Sequence, residues 1–423
     1  MEVKAGYKQT EVGVIPEDWG VSTVGCEFEI KLGKMLDAEK NVGVPKPYLG
    51  NKAVQWDRID ITDLPTVPMY RSDIDKFRLR KGDLLVCEGG EVGRAAIWEA
   101  PLEECYYQKA LHRLRALHGF SPQLMAALLR LWSDRGLLAN YVTQTSIAHL
   151  PREKFMEVPM PVPPPLEQRA IATALSDVDA LLGALDRLIA KKRDLKQAAM
   201  QQLLTGQTRL PGFQGEWDQV KLGDLFSFSG GYSASRDQLS TEGYCYLHYG
   251  DVHGSSRTYV DTQADYQDIP KLDIPLKRVS SNSLLEDGDV VFVDASEDDE
   301  GTSKHIVVVN KDKVPFISGL HTIVAKSKTN ELAHEYRRYC FQTAAIRHQF
   351  LFYAVGTKVS GISKANIAKL KLSVPRVPEQ TAIAALLSDM DAELSALEAR
   401  RAKTRALKQA MMQELLTGRT RLV

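Results

Sequence analysis

The sequence predicts an α+β protein in which two globular domains alternate with two long helices that pair as an antiparallel coiled coil. Residues 167–210 recur at residues 379–422 with a constant offset of 212, and 29 of the 44 aligned residues are identical. In each copy, apolar residues recur at alternating steps of three and four, the spacing of one helix face. Mixed helix and strand patterns with little shared sequence precede each copy. The chain therefore has a pseudo-two-fold internal repeat.

Each copy predicts a rod of about 38 helical residues, roughly 57 Å long at ~1.5 Å per residue. A single narrow apolar stripe needs a partner helix to bury it. The positions expected to pair are Ile171, Val178, Leu181, Leu185, Leu188 and Leu195 in the first copy and Ile383, Leu386, Met390, Leu397 and Leu407 in the second. Gly206 and Gly418 are expected to end the helices. The alternative is two unrelated surface helices that each cover a local core.

Composition limits the class of protein. A chain of 423 residues predicts two or three domains. Lys and Arg number 54, as do Asp and Glu, so net charge does not by itself indicate a nucleic-acid partner. Five cysteines lie far apart without a C-x-x-C pair, which favours reduced thiols over a zinc site. Since no apolar stretch approaches a membrane span, we expect a cytoplasmic protein with no membrane partner.

The predicted order is a globular domain at residues 1–163, a long helix at 164–210, a second globular domain at 211–375 and a second long helix at 376–423. Landmarks recur in the same order in both globular domains. Residues 80–86 and 286–292 each predict a turn followed by a buried strand. A later strand in each domain places His112 and His321 at positions predicted to be equivalent. Helices are predicted at Ser121–Ser133, capped by Ser121, and at Glu331–Arg347.

Catalytic motifs are scarce. No G-x-x-x-x-G-K-[ST] phosphate loop occurs. The glycine-rich loop Glu88–Arg94 favours a hairpin turn, because its glutamates would repel phosphate. Two groups of basic residues have two open interpretations, contact with a phosphate backbone or ordinary solvated charge. They are Lys191, Lys192, Arg193, Arg400, Arg401, Lys403 and Arg405 on the predicted helices, and Arg71, Lys76, Arg78, Arg80 and Lys81 in the first domain.

Three sequence features resemble the specificity subunit of type I restriction–modification systems. They are the opening YKQTEVGVIPEDW, the two helix starts PPPLEQRAIATALSDVDALL and VPEQTAIAALLSDMDAEL, and the ending LKQAMMQELLTGRTRL. Gly356-Thr357, with Ile362 five residues after the threonine, is similar to a loop-to-helix signature of the family's recognition domains. In the first domain Gln144 stands where the family favours glycine before the threonine.

The resemblance implies a DNA sequence-specificity subunit that is not itself an enzyme. Each variable domain is expected to read one half of a bipartite, asymmetric site in double-stranded DNA. The helices are expected to set the spacing and to dock two methyltransferase subunits, which bring S-adenosylmethionine; two endonuclease subunits complete the complex. No cofactor or metal is expected on this chain.

Residues expected on DNA-facing loops are Arg94, Gln144, Thr145, Thr357 and Lys358. A structural role within the turn is the alternative for each of them. The alternative functions are a specificity subunit of another, type II-like restriction architecture, a degenerate DNA methyltransferase, and a coiled-coil scaffold with no role in DNA binding.

Overall fold

A computed structural model describes residues 4–37, 39, 41–144, 148–296, 303–356 and 360–422. The chain divides into two compact units. The first unit consists of residues 1–187 and 399–423, and the second unit of residues 188–398. Each unit therefore combines one globular domain with part of each long helix. Both units mix helix and sheet, as the sequence predicts.

Short helices and strands surround two long helices. The helices are α1 (Val24–Glu27), α2 (Arg71–Phe77), α3 (Pro122–Asp134), α4 (Arg152–Met156), α5 (Pro165–Leu203), α6 (Leu222–Leu225), α7 (Tyr249–Gly254), α8 (His334–Cys340), α9 (Ala344–Tyr353), α10 (Lys364–Ile367) and α11 (Val377–Leu415). The first unit has strands β1 (Tyr7–Thr10), β2 (Gly13–Pro16), β3 (Gly20–Thr23), β4 (Phe28–Leu32), β5 (Val44–Leu49), β6 (Val54–Gln55), β7 (Arg58–Ile59), β8 (Thr66–Met69), β9 (Leu84–Cys87), β10 (Ala95–Ile97), β11 (Tyr106–Tyr107), β12 (Leu111–Ala116), β13 (Thr143–Gln144), β14 (Ala148–His149) and β15 (Pro159–Val162). The second unit has strands β16 (Asp218–Lys221), β17 (Phe226–Gly230), β18 (Leu239–Ser240), β19 (Tyr244–Leu247), β20 (Tyr259–Asp261), β21 (Lys271–Leu272), β22 (Val290–Val293), β23 (Ala295–Ser296), β24 (His305–Val309), β25 (Phe316–Ser318), β26 (Thr322–Ser327), β27 (Ser360–Gly361) and β28 (Lys371–Val374).

A four-stranded antiparallel sheet in the order β10-β9-β12-β4 forms the centre of the first unit. Strand β9 is buried along its whole length, which explains its continuous apolar sequence. A second sheet in the order β11-β5-β8 covers a separate apolar cluster. Helix α3 begins as predicted, because the Ser121 side chain accepts a hydrogen bond from the amide of Leu124 at 3.2 Å.

The second unit has an equivalent centre, a five-stranded sheet in the order β17-β26-β22-β24-β20. The turn before β22 matches the turn before β9. Asp83 and Asp289 each accept a hydrogen bond from the amide three residues earlier, both at 2.8 Å. Gly82 and Gly288 adopt φ angles of 89° and 83°, which glycine tolerates best. The predicted turn and buried strand are therefore confirmed in both units.

Two sequence predictions are corrected in the second unit. The helix predicted at Glu331–Arg347 is two helices, α8 and α9, because Thr343 caps a new start by accepting a hydrogen bond from the amide of Ile346. His112 and His321 are not equivalent. His112 lies in β12 opposite Val86, whereas His321 precedes β26 with a φ of 59°.

The long helices α5 and α11 each have 39 residues, and residues beyond their ends reverse the chain at Gly206 and Gly418, with φ angles of 72° and 66°. Their buried and half-buried positions follow one stripe at steps of four and three. On α5 it contains Ile171, Leu175, Val178, Leu182, Leu185 and Ile189; on α11 it contains Ile383, Leu387, Met390, Leu394 and Leu397. The two stripes are related by the same offset of 212 as the sequence repeat.

The predicted register of this stripe is corrected at five positions. The structure leaves Leu181, Leu188, Leu195, Leu386 and Leu407 between 38% and 55% exposed. The predicted and observed stripes share every second position, Ile171, Val178 and Leu185 among them. At the others the buried residue is one position later, for example Leu182 instead of Leu181. Adjacent apolar residues made both registers compatible with the sequence.

A Glu-Gln dipeptide at the start of each long helix connects three parts of each unit. In the first unit Glu167, which is fully buried, accepts hydrogen bonds from Trp19 Nε1 at 2.8 Å and Arg421 Nε at 2.6 Å. Arg421 also pairs with Asp18 at 2.7 Å, and this contact lowers the pKa of Asp18. Gln168 accepts a hydrogen bond from the amide of Ser121, the first residue of the α3 cap, at 3.1 Å.

The second unit repeats this arrangement. Glu379, 2% exposed, accepts two hydrogen bonds from Arg209 at 2.5 Å each, and Gln380 accepts one from the amide of Ala333 at 2.8 Å. The pairs Glu167–Arg421 and Glu379–Arg209 involve the same two repeat positions with their copies exchanged. In each unit, the tail that follows one helix is thus held at the start of the other helix.

We predict that Arg421→Ala lowers the free energy of unfolding of the first unit by about 3 kcal/mol, because it leaves the buried Glu167 carboxylate without its cation. Differential scanning calorimetry of the full chain measures this loss. The matched control is Arg419→Ala. Arg419 is an exposed tail residue whose carboxylate partner Glu414 is 3.8 Å away, and its loss should cost less than about 0.5 kcal/mol. Equal effects of the two substitutions would contradict the role given to Arg421.

Candidate nucleic-acid interface

In the first unit, two segments singled out from the sequence meet beyond the end of β9. The loop that begins at Glu88 runs beside the hairpin of β13 and β14, and Gly89 forms an antiparallel bridge with His149. The amide of Leu150 donates to the carbonyl of Glu88 at 2.7 Å. A Cβ atom at Gly89 would lie 3.0 Å from the His149 ring, so the close approach favours glycine. Gly90, Glu91, Thr143 and His149 are the exposed residues of these two segments among those that the structure describes.

The second unit builds the same pair of loops. Strand β23, which follows β22, pairs with β27, and the amide of Ile362 donates to the carbonyl of Asp294 at 2.8 Å. Leu150 and Ile362 are related by the repeat offset of 212. The hydrogen bond that joins the loops is therefore equivalent in the two units, although the loop sequences differ.

A buried histidine supports the loops of the first unit. His112 Nε2 lies 2.9 Å from the carbonyl oxygen of Leu150, and its ring stacks at a tilt on Phe155. Burial lowers the pKa of His112 from 6.5 to about 4. The ring is therefore neutral at neutral pH, and an Nε2–H donates to the carbonyl that anchors the hairpin.

The structure places the five predicted DNA-facing residues as follows. Arg94 lies in the loop as predicted, but its side chain is only 15% exposed. It donates to the carbonyl of Asn51 at 3.0 Å and lies 3.5 Å from Glu91, so it points into the loop and stabilises it. Gln144 ends β13, inside the paired loops. Thr145, Thr357 and Lys358 lie outside the described residues. DNA contact by these residues stays a prediction.

Some residues at these edges were missed from the sequence. Asn51 bridges the loops of the first unit, because its Nδ2 donates to the carbonyl of Gly89 at 3.0 Å and its own carbonyl accepts from Arg94. In the second unit Phe352, near the end of α9, and Val355, which forms a bridge with Gly361 of β27, are 79% and 77% exposed. An apolar sequence gives no sign of such exposure, since it also suits a buried helix end.

Several of the basic residues predicted on the long helices are neutralised within their own unit. In the second unit Lys192 pairs with Glu393 at 2.7 Å, and Arg193 pairs with Glu398. In the first unit Arg401 pairs with Asp186 at 3.1 Å. These contacts favour a structural role for the three cations over phosphate binding.

The described residues lack two kinds of feature. No group of three or more His, Cys, Asp or Glu side chains among them is arranged to hold a metal ion. None of the helices in the described ranges is both long enough and apolar enough to cross a membrane.

Comparison with known proteins identifies the family. The family described as type I restriction modification DNA specificity domain matches residues 16–191 and again residues 214–405. The chain belongs to this family. The resemblance inferred from the sequence is confirmed, and the chain has the predicted role of a DNA specificity subunit. The family is a DNA-recognition component and not a catalytic one.

Two curated relatives match this specificity subunit over nearly its whole length, both from Methanocaldococcus jannaschii. The putative type I restriction enzyme MjaX specificity subunit is 23% identical, with 98% of this chain and 97% of the relative covered. The type I restriction enzyme MjaVIII specificity subunit is 24% identical, with 96% and 94% covered.

Solved structures share the fold. The S subunit of a type I restriction–modification system from M. genitalium aligns with a TM-score of 0.58 at 16% identity, covering 98% of each chain. A chain from a study of complex assembly and conformational transition of the type I R-M system aligns with a TM-score of 0.56 at 16% identity, covering 96% of this chain and 99% of that one.

We predict that acidification weakens the first unit through His112. Because the folded-state pKa lies below the ordinary value of 6.5, the stability that neutral His112 contributes is present above pH 6.5 and is lost as the pH falls towards 4. Between pH 7 and pH 5 the loss of unfolding free energy is about 2 kcal/mol.

Urea denaturation of the wild type and of His112→Gln at both pH values measures this loss, since glutamine can donate a hydrogen bond but does not titrate. The control His118→Gln, at an exposed position, should retain the full pH dependence. His305 of the second unit, whose pKa burial also lowers to about 4, contributes equally to both proteins. The assignment is refuted if His112→Gln loses as much stability between pH 7 and pH 5 as the wild type.

Proposed function

We propose that this specificity subunit reads a bipartite, asymmetric site in double-stranded DNA, with one half-site for each variable domain. The observation that carries the proposal is the repeated pair of loops, joined by Leu150–Glu88 in one unit and by Ile362–Asp294 in the other. The same backbone frame presents different loop sequences. Different side chains on one frame are what two different half-sites require, because bases are distinguished by the donors and acceptors that face them.

Rigid loops favour sequence discrimination. A side chain can distinguish one base pair from another only if its donor and acceptor atoms are held in place. In the first unit Arg94, Asn51 and His112 fix the backbone of both loops through hydrogen bonds. We assign these three residues to positioning the loops, and we propose that contact with DNA is made by other residues, Gln144, Thr145, Thr357 and Lys358 among them.

The two long helices, in this proposal, form an antiparallel coiled coil that sets the spacing of the half-sites. Ion pairs within each unit support it. In the first unit Asp179 pairs with Lys408 at 2.6 Å and Asp186 pairs with Arg401, so residue numbers rise along α5 while they fall along α11. In the second unit Lys196 pairs with Asp391, at the positions that correspond to Lys408 and Asp179 after exchange of the copies.

The assembly expected from the family supplies the chemistry. Two methyltransferase subunits, which bind S-adenosylmethionine, would dock on the helices, and two endonuclease subunits would join them. The chain itself would have no methyltransferase, nuclease or ATPase activity. Purified chain free of its partners should transfer no methyl groups to DNA, and methyl transfer by it would refute this proposal.

We predict that Thr357→Ala combined with Lys358→Ala weakens binding of the complex to its target. Loss of one lysine–phosphate contact should lower the slope of log affinity against log salt concentration by about 0.9. Fluorescence anisotropy across a salt series measures affinity and slope. Lys311→Ala is the charge-matched control at an exposed position of the same unit and should leave both unchanged. The DNA-facing assignment fails if the double variant behaves like this control.

We predict that a half-chain of residues 1–210, with the methyltransferase partner, forms a 2:2 assembly that methylates a palindromic target. The half-chain keeps the stripe of α5 but loses its partner helix, and a second copy can bury it by a closed two-fold pairing. Arg209 of each copy can then pair with Glu167 of the other, because Arg209 and Arg421 occupy the same repeat position. Light scattering measures the mass, and mapping of methylated adenines gives the target.

Arg209→Ala should weaken the half-chain dimer, whereas Gln207→Ala, at an exposed position of the same tail, should not. A half-chain that stays monomeric at micromolar concentration with its partner present would exclude the proposed pairing of the helices.

A further inference from the structure

The first unit contains a cavity of about 250 Å³ beside α3, α5 and α11. Small and apolar side chains line its interior: Ala96, Ala126, Ala127, Ala172, Leu175 and Met412. Seven polar or charged side chains also line it: Asp57, Glu99, Gln123, Arg130, Ser176, Asp179 and Lys408. Lys408 pairs with Asp179 at 2.6 Å and with Asp57 at 3.3 Å. A cavity of ~150 Å³ is large enough to bind benzene, so the volume of this one leaves room for an aromatic ring that carries a polar substituent.

The second unit shows what such a set of side chains can hold. The repeat offset of 212 relates Ser176 and Asp179 to Ser388 and Asp391, and it relates Lys196 to Lys408. Between these three side chains of the second unit lies the ring of Tyr339, which is 2% exposed. The Tyr339 hydroxyl lies 2.9 Å from Asp391 Oδ2 and 3.0 Å from Ser388 Oγ, and Lys196 Nζ lies 5.9 Å from the ring centroid.

The residue that corresponds to Tyr339 in the first unit is Ala127. The correspondence does not depend on sequence alignment alone, because Gln168 and Gln380 bind the cap residues of α3 and α8, Ser121 and Ala333. Ala127 and Tyr339 are each six residues beyond that cap. The cavity therefore occupies the place of a missing tyrosine side chain, with the polar side chains that would hold its hydroxyl and ring still present.

We propose that this cavity binds a phenolic ring, and that its occupant in the assembled complex is a tyrosine side chain of a partner protein. The hydroxyl would donate to Asp179, beside Ser176, and the ring would lie near the Lys408 ammonium, as Tyr339 does in the second unit. A protein side chain is the chosen source because the equivalent set of residues already holds one, contributed by a neighbouring helix. The assignment of a partner's tyrosine as the occupant rests on the proposed docking of partner subunits. The ability of the cavity to bind a phenolic ring does not depend on that docking.

The probe for the cavity is p-cresol, the side-chain analogue of tyrosine, added to the full chain without DNA or partner. Isothermal titration calorimetry should find one site in the wild type and at least tenfold weaker binding of toluene, which lacks the hydroxyl.

Ala127→Tyr should fill the cavity, abolish p-cresol binding and raise the unfolding temperature. Tyr339→Ala should create a second site. Asp179→Asn should weaken p-cresol binding without filling the cavity. This variant tests the site even if Ala127→Tyr fails to fold. Absence of binding to the wild type, or unchanged binding to Ala127→Tyr and Asp179→Asn, would overturn the site.

The occupant is tested separately with the methyltransferase partner. Ala127→Tyr should reduce the affinity of the chain for that subunit at least tenfold, and the small control Ala127→Ser should not. Excess p-cresol should compete with the partner on the wild type only. A partner that binds Ala127→Tyr as tightly as the wild type would overturn the assignment of its tyrosine as occupant. Neither the titration of the chain with p-cresol nor the competition between p-cresol and the partner involves DNA. A chain that does not recognise DNA would therefore refute the proposed function without changing these two results.

Discussion

The constraint on which this structure depends is that a long helix with one apolar stripe cannot bury that stripe by itself. Helices α5 and α11 each carry such a stripe over much of their 39 residues. In the first unit, Ile171 and Leu175 of α5 share one core with Met412 and Leu415 of α11, and this core continues into the globular domain. The second unit does the same with Leu203 of α5 and Ile383 of α11. Each globular domain therefore requires residues from both copies of the repeat.

This requirement explains why the sequences of the two long helices and their tails have stayed similar while those of the two globular domains have diverged. A buried carboxylate is tolerated only with a cation and hydrogen-bond donors around it. Glu167 and Glu379 meet that condition with an arginine from the other copy. The glutamine that follows each of them accepts a hydrogen bond from the amide of the residue that precedes α3 or α8. A change at either position would disturb a domain, a helix and a tail together.

Much of this architecture was predictable because it depends on periodicity and capping. The repeat located both long helices, and Ser121 with Pro122 located the start of α3. The register of the stripe was not predictable, because Leu181-Leu182 and Leu188-Ile189 are apolar in both choices and only packing decides between them. The break between α8 and α9 depends on one threonine cap within an otherwise helical sequence.

DNA contact by the candidate residues stays a prediction, and the contacts of Arg94 could not be predicted from the sequence. Glycines marked the turns of its loop, yet the inward orientation of Arg94 is set by the carbonyl of Asn51, far away in sequence. The cavity at Ala127 had no signal in the sequence, because an alanine in a helix is ordinary. Its meaning comes only from comparison with Tyr339 in the other unit.

In the proposed function, two variable domains on one repeated scaffold each read one half-site at a fixed separation. Genome-wide mapping of methylated adenines, with the wild type and with a chain lengthened by one turn residue after Leu204, measures both the half-sites and their separation. For the wild type we expect two short, different half-sites with an unspecified spacer of fixed length. For the lengthened chain we expect the same pair of half-sites with a longer spacer. A contiguous motif, or a parental spacer in the lengthened chain, would refute the proposed function.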